Sequence, residues 1–463
     1  LTSRLGLLFF GREAVKGRPL YAWPRYDFDP AQEVTRIVQE EVRELSRALP
    51  GKVAFTESLW VKGVAEVEKA LKMDVDGYLA YILTTNIDYR HLYRVVERGL
   101  PTLAYTRPYH SLPWPELATL TGRGLPLLTI ASSRLEELAL GLRVLHGFIQ
   151  VRKARILVVS TPDEMSLERL HTTLPLYLGD QEKDLDRMEA LLNLEFADYR
   201  ELLQEAEAVG VEEAERVADE LIGGASELGE GVRLSGVVEG ARLYLAAKRL
   251  LSRYQANALA INDITIMLKD PEALAATPCV LVSLLNDEGV PTACEADLNS
   301  LILMVFFRHA LDKPSVIAEP VFDLGTNRVV YAHCTAARRL GGLEEAGEPY
   351  ALELHGESGL PVTVRTRMSE GQLVTVANIS SDFRRLMAFR APVRGTPVTE
   401  HGCRMKVELE VDDPAAMLWF YTKPLHRVLV YGDHLKLLRM LAVLMGLQFT
   451  PEGQRPVATA SGR

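Results

Sequence analysis

Glu295 and Glu319 are the residues in this sequence best placed to do chemistry together. In the segment VPTACEADLNSLILMVFFRHALDKPSVIAEP each directly follows a short strand signal, at residues 292–294 and 315–318, with a strongly apolar helix at 298–311 between them. If both strands belong to one parallel sheet, with neighbours about 4.8 Å apart, the two carboxylates converge outside its carboxyl edge, where such sheets bind ligands. Two like charges at one point repel unless a cation lies between them or one carboxyl keeps its proton. His333, in RVVYAHCTA, ends a further strand signal, and His426, in KPLHRVLVYGD, begins another. Two glutamates and two imidazoles suit Mn²⁺, Co²⁺ or Mg²⁺ with open positions for substrate oxygens, rather than a closed structural zinc site.

Each residue also has a plainer role to weigh. Asp297, just ahead of the apolar helix, reads as its N-cap. Glu319 could pair with Arg308 or Lys313, and each histidine could be a satisfied core residue. Asp263, at the end of the strand signal 257–262, points to the same sheet edge but could simply cap the next turn. The four cysteines, Cys279, Cys294, Cys334 and Cys403, form no CxxC pair, so reduced, packed thiols are expected.

The elements that must position these residues fall into three stretches, in keeping with 463 residues at about 150 per domain. Residues 1–153 alternate strand signals (5–10, 53–56, 77–83, 102–105, 127–130) with amphipathic helices, starting with Asp29-Pro30 as cap and first helical position. Strands separated by helices are joined by crossovers, which makes a parallel sheet covered on both faces. Residues 154–325 repeat the pattern from a strand at 156–160, with strand signals at 257–262, 279–284, 292–294 and 315–318. From Tyr350 the period drops to two, as in Val362 and Val364 or Val407, Leu409 and Val411. Residues 326–463 therefore read as an antiparallel β-rich domain ending in a helix at 435–445 and a disordered tail from Pro451. The expected fold class is α/β: two doubly wound, Rossmann-like domains followed by a β-rich C-terminal domain. The acidic run from Glu205 to Asp219 reads as a solvated helix face.

Composition excludes several classes. With 48% apolar and 25% charged residues the chain can bury a core, so wholesale disorder is ruled out. A net charge of −10 with no Lys/Arg run argues against nucleic acid as a partner. The longest apolar run, residues 301–307, is far short of the ~20 that span a bilayer. The opening LTSRLGLLFFGREAVKG lacks a signal-peptide pattern, so a cytoplasmic protein is expected. GxGxxG, Walker, HExxH and GxSxG signatures are missing, which removes the main support for a dehydrogenase, kinase or serine hydrolase.

The stretch LVSLLNDEGVPTACEADLNSLILM, followed by IAEP, YAHC, GCRMKVELEV and HRVLVYGDH, resembles the L-fucose and L-arabinose isomerase family, most strongly from about residue 240 to the end. PTLAYTRPYHSLPWPE and GLPLLTIASS are compatible with that family's first domain. The resemblance implies a divalent ion, usually Mn²⁺, held between the second α/β domain and the β-rich domain. Glu295 in CEAD and Glu319 in IAEP match the two acidic ligands. His333 matches the histidine of arabinose-type members, and His426 stands where the last histidine ligand is expected. It further implies aldose–ketose interconversion of a monosaccharide through an enediol, with Glu295 and Glu319 as acid/base pair, in a homo-oligomer such as a hexamer. The sequence departs in being shorter, in having His426-Arg427 where a histidine pair is expected, and in carrying Glu319 where fucose-type members use aspartate, so the sugar is not inherited. The competing expectations are a sugar-binding or regulatory protein without catalysis, another metal-dependent reaction on a sugar, and a metal-free glycosidase, which the histidines and 7% aromatic content disfavour.

Overall fold

The computed structural model describes residues 2–12, 28–85, 87–173 and 185–453. The tail expected to be disordered lies outside the described residues from 454 on. The chain divides into two compact units, Leu1–Gln150 with Lys436–Gln448, and Val151–Leu435 with Phe449–Arg463.

In the first unit β1 (Ser3–Phe10), β2 (Val53–Trp60), β3 (Gly77–Ile82), β4 (Thr102–Thr106) and β5 (Leu127–Ala131) form a parallel sheet in the order β2-β1-β3-β4-β5. The central strands are buried on both faces rather than alternating: every residue of β3 and of β4 is buried. Asp29 caps the first helix through the Ala31 N–H, with Pro30 in its first turn, as the sequence leads one to expect. The late helix Leu435–Leu444 supplies most of the segment that returns to this unit.

The second unit opens with another parallel sheet, β10-β9-β6-β7, made of β6 (Arg155–Ser160), β7 (Asn193–Asp198), β9 (Ala258–Ile261) and the short β10 (Thr292–Ala293). A small sheet joins β8 (Glu227–Leu228), β13 (Tyr350–Glu353) and β14 (Thr363–Thr366). The rest is a closed antiparallel barrel: β11 (Val316–Asp323), β12 (Arg328–His333), β15 (Leu373–Ile379), β16 (Arg385–Gly395), β17 (Met405–Glu410) and β18 (Arg427–Tyr431), with β19 (Gln448–Pro451) at the edge of β16. The order is β15-β18-β11-β12-β17-β16, and β16 closes the ring because its first half pairs with β15 and its end with β17. Val316, Val329, Tyr331, Val376, Val407, Leu409 and Leu429 fill the barrel core. Full closure leaves these strands no open edge.

Two expectations are corrected. Residues 279–284, read as a strand, begin the helix Cys279–Asp287. All nine of its residues are buried, so no apolar period distinguishes helix from strand, and a short apolar run is ambiguous on that ground. The strand read at 315–318 is real but is the start of β11, which runs antiparallel to β12 and β18 in the barrel rather than parallel in the second sheet. Helix Leu298–Leu311 ends on Asp312 in the left-handed region, and Lys313-Pro314 then leads into the barrel. The acidic helices Tyr199–Glu207 and Val211–Gly224 present Glu207, Glu212, Glu215 and Asp219 to solvent, as expected, whereas Glu205 and Glu213 are half-buried and pair with Arg253 and Arg249. Among the described residues no helix is long and apolar enough to cross a membrane.

Candidate metal and acid/base site

Glu295 sits in a backbone turn that few side chains adopt. After β10 the chain passes through Glu295 (φ 56°) and Ala296 (φ 47°), two consecutive non-glycine residues in the left-handed region. Each costs roughly 1–3 kcal/mol unless its surroundings enforce it, and such turns cluster at functional sites. Three interactions enforce this one. Asp263, just past β9, accepts the Glu295 N–H at 2.7 Å. The Ala296 N–H donates to the Ile261 carbonyl at 2.9 Å. Asp297 caps the following helix, accepting the Ser300 N–H at 2.9 Å and its hydroxyl at 2.6 Å. Asp297 is thus the N-cap the sequence suggests, and Asp263 holds Glu295 rather than serving its own turn alone.

The barrel supplies the other three residues from neighbouring strands. Ala318 pairs with Arg427, which makes Glu319 on β11 and His426 ahead of β18 the next positions along that ladder. Glu319 pairs with Ala332, next to His333 at the end of β12. His426 Nε2 lies 3.7 Å from Glu295 Oε2 and 4.0 Å from Glu319 Oε2. His333 Nδ1 lies 3.7 Å from Glu319 Oε2, and the two imidazole rings are 5.1 Å apart. All four residues singled out in the sequence therefore meet, although Glu319 arrives from the barrel and not from the parallel sheet. Its plainer partners are engaged elsewhere: Arg308 bonds the Gly289 carbonyl and Asp312, and Lys313 the Tyr431 carbonyl.

These side chains line a cavity of about 250 Å³, which Asp263, His355, Glu357 and all four cysteines also reach. Its size suits a small polar ligand rather than the drug-sized molecules that fill larger pockets. All four cysteines are free and buried, as expected, and Cys279, Cys334 and Cys403 pack together with Ala332. Cys294 Sγ is 2.9 Å from His333 Nε2 and 3.4 Å from Thr335 Oγ1, and donor atoms of Cys403, Glu319 and His333 lie within 4.8 Å of one another.

The electrostatics follow from burial of a carboxylate-rich cluster. Burial raises Glu295 to about 8, against the attraction of His426 and with help from Asp263, Glu319 and Asp297. Burial also raises Glu319. Burial would lower His426, but Glu295, Asp297 and Glu319 prevail and raise it to about 9. For Asp297 burial pushes upward, yet His426 and Ser300 hold it below the usual carboxylate range. His333 is driven well down by burial and by the two other imidazoles, so it is neutral and free to act as a donor. The cavity thus retains a proton that three neighbouring carboxylates demand, and a cation can take that proton's place.

Two further features fit a metal ion. Glu295 Oε2 and His333 Nδ1 are buried and have no hydrogen-bond partner among the described residues. An unsatisfied buried polar atom costs about 1–3 kcal/mol, and coordination would satisfy both. In addition, His426 Nδ1 is held at 3.0 Å by Asp297 Oδ2, which leaves Nε2 aimed at the two glutamates. That carboxylate–histidine arrangement is what orients metal-binding imidazoles. Compact groups of potential ligands are Cys294, Glu295 and His333, and Glu319, His333 and Cys403.

Sequence reasoning overlooked the second role of Asp297, the role of Asp263 in shaping the turn, and His355 with the cysteines. Asp297 had a signal, since it follows Glu295 by two residues ahead of a helix; the cysteines had none, being scattered until the barrel assembles. No protein-family model matches this chain, and no curated protein matches it in sequence.

Proposed function

We propose that this protein is a metal-dependent aldose–ketose isomerase acting on a monosaccharide, a cytoplasmic homo-oligomer of the L-fucose and L-arabinose isomerase type. The convergence of Glu295, Glu319, His333 and His426 on one small polar cavity carries the reading. Mn²⁺ is the expected ion from the resemblance, with Co²⁺ or Mg²⁺ as alternatives, and Glu295, Glu319, His333 and His426 would hold it. When bound, it supplies Lewis-acid stabilisation of negative charge on the sugar oxygens at C1 and C2.

The chain's own groups account for the proton traffic. Isomerisation through an enediol needs one group to take the proton from the carbon next to the carbonyl and one to return a proton at the neighbouring carbon. Glu295 and Glu319 flank the same His426 nitrogen at 3.7 and 4.0 Å, yet differ in setting. The Glu295 backbone is held by Asp263, while Glu319 is more exposed and lies within 4.8 Å of Cys403. Unequal environments separate the proton affinities of paired carboxyls, which an acid/base pair requires. Asp297 keeps Nε2 of His426 on the cavity side, and burial of the cluster limits competing water.

The test is metal content of protein purified without chelator or affinity-metal resin, before and after Mn²⁺ soaking, followed by an aldose screen for solvent deuterium at C2. About one ion per chain, lost in Glu319→Gln, together with exchange at C2 supports the reading. Sugar binding without exchange would favour a non-catalytic sugar-binding protein, and no ion under either condition removes the mechanism.

A further inference from the structure

The barrel places a sulfur donor in line with the donors already described. Strands β18, β11, β12 and β17 are consecutive neighbours around the ring. Their cavity ends carry, in the same order, His426, Glu319, His333 and Cys403: His426 directly precedes β18, His333 closes β12, and Cys403 stands two residues before Met405, which pairs with His333. A set of donors in adjacent strands at one barrel rim is how a site is built on a rigid frame.

We propose that Cys403 is a metal ligand, completing a Glu319–His333–Cys403 set, and that the site consequently favours a borderline, thiophilic ion such as Zn²⁺ or Co²⁺ over Mn²⁺. This rests on the metal reading above and sharpens it. The carboxylate oxygen, the imidazole nitrogen and the sulfur all lie within 4.8 Å of one another. Donors sharing a tetrahedral ion at bond lengths of about 2.0–2.3 Å sit roughly 3.5 Å apart, so closing the site takes movements of roughly 1 Å.

His333 is prepared for this role. It is 3% exposed, and its Nδ1, on the Glu319 side, has no hydrogen-bond partner among the described residues. Its Nε2 is taken up by Cys294 Sγ at 2.9 Å. The tautomer that donates from Nε2 to this sulfur leaves the Nδ1 lone pair facing the site, so Cys294 sets the ring and Cys403 binds the ion. A thiolate beside carboxylate and imidazole selects against hard ions, since Mn²⁺ prefers all-oxygen or oxygen–imidazole surroundings.

The full-length protein loaded with Co²⁺ tests this by absorption, independently of turnover. The expected result is visible ligand-field bands together with a sulfur-to-cobalt charge-transfer band in the near ultraviolet. Cys403→Ser should keep the ligand-field bands, lose the charge-transfer band, weaken Zn²⁺ binding at least about 10-fold and leave Mn²⁺ binding within about 3-fold. Cys294→Ser should keep the charge-transfer band. Ligand-field bands without charge transfer in the unmodified protein would overturn the sulfur ligand and leave the metal reading standing. A charge-transfer band that survives Cys403→Ser but not Cys294→Ser assigns the ligand to the wrong cysteine here and overturns the proposal. Failure to bind Co²⁺ at all removes both the proposal and the metal reading.

Discussion

Asp297 Oδ2 and His426 Nδ1 are 3.0 Å apart, joining the N-terminus of the helix Leu298–Leu311 to the rim of the barrel. The same carboxylate caps the helix through Ser300, so one side chain both ends a turn and fixes an imidazole. The helix follows β10 of the second parallel sheet whereas β18 belongs to the barrel, and this contact ties the two together at the cavity.

Asp297→Asn separates the two roles. Asparagine is as good an N-cap as aspartate, so the helix should lose little stability. It cannot offer the His426 ring a charged acceptor, and loss of such a partner costs about 10- to 100-fold in metal affinity. A chelator-competition titration reads this directly. Unchanged affinity in the variant would mean that Asp297 is a cap and nothing more.

The acid/base assignment makes a second demand. Glu295→Gln and Glu319→Gln should each lower aldose turnover and C2 proton exchange by at least about 100-fold, the usual contribution of a positioned proton-transfer group. Neither change should lower the melting temperature of the metal-free protein, because each removes a buried acid that ionises with difficulty. Retained turnover in both variants, measured at saturating metal, would refute the assignment.

The cavity residues were largely legible before the fold was known, and the reasons why are specific. Glu295 follows a strand and precedes a capped apolar helix, a local pattern that does not depend on what lies across the cavity. Glu319 was found for a partly mistaken reason, since residues 316–323 belong to the barrel; a strand's sequence says little about which sheet it joins, and both placements bring residue 319 to the edge. The helix Cys279–Asp287 was unreadable as a helix because total burial erases its period. The convergence of Cys279, Cys294, Cys334 and Cys403 was invisible because it arises only when the barrel closes and the second parallel sheet delivers Cys294.

Stability of the metal-free protein should depend on pH in a direction set by two groups. Glu295 rises from an ordinary value of 4.5 to about 8, and His426 from 6.5 to about 9. For both, the folded state holds its proton more tightly than the unfolded chain. Their contribution is fully present below the ordinary values and is lost as pH rises through the folded ones. The melting temperature should therefore fall between about pH 4.5 and 9 without metal, Glu295 acting from about 4.5 to 8 and His426 from about 6.5 to 9. Ion binding displaces these protons, so saturating metal should flatten the trend, and apparent metal affinity should rise over the same range. Thermal unfolding across pH, with and without metal, checks the sign; a metal-free protein that gains stability over that range contradicts it.

The turn at Glu295 and Ala296 gives the last prediction, because Asp263 is the side chain that accepts the Glu295 N–H. Asp263 is 6% exposed, and its acceptor oxygen is 2.7 Å from the Glu295 nitrogen. Asp263→Ala strands a backbone N–H at the cavity wall, at a cost of about 1–3 kcal/mol, and lets two left-handed residues relax toward ordinary conformations. Relaxation by even 1 Å moves the Glu295 carboxylate out of register with His426, and misplacement on that scale costs about 100-fold in rate. Activity should consequently fall much further than the modest stability loss accounts for, with metal affinity reduced in parallel. Asp263→Asn keeps an acceptor oxygen and should recover most of both. If Asp263→Ala lowers stability while leaving metal affinity and turnover intact, the turn is a structural feature of the sheet edge and does not position Glu295 for chemistry.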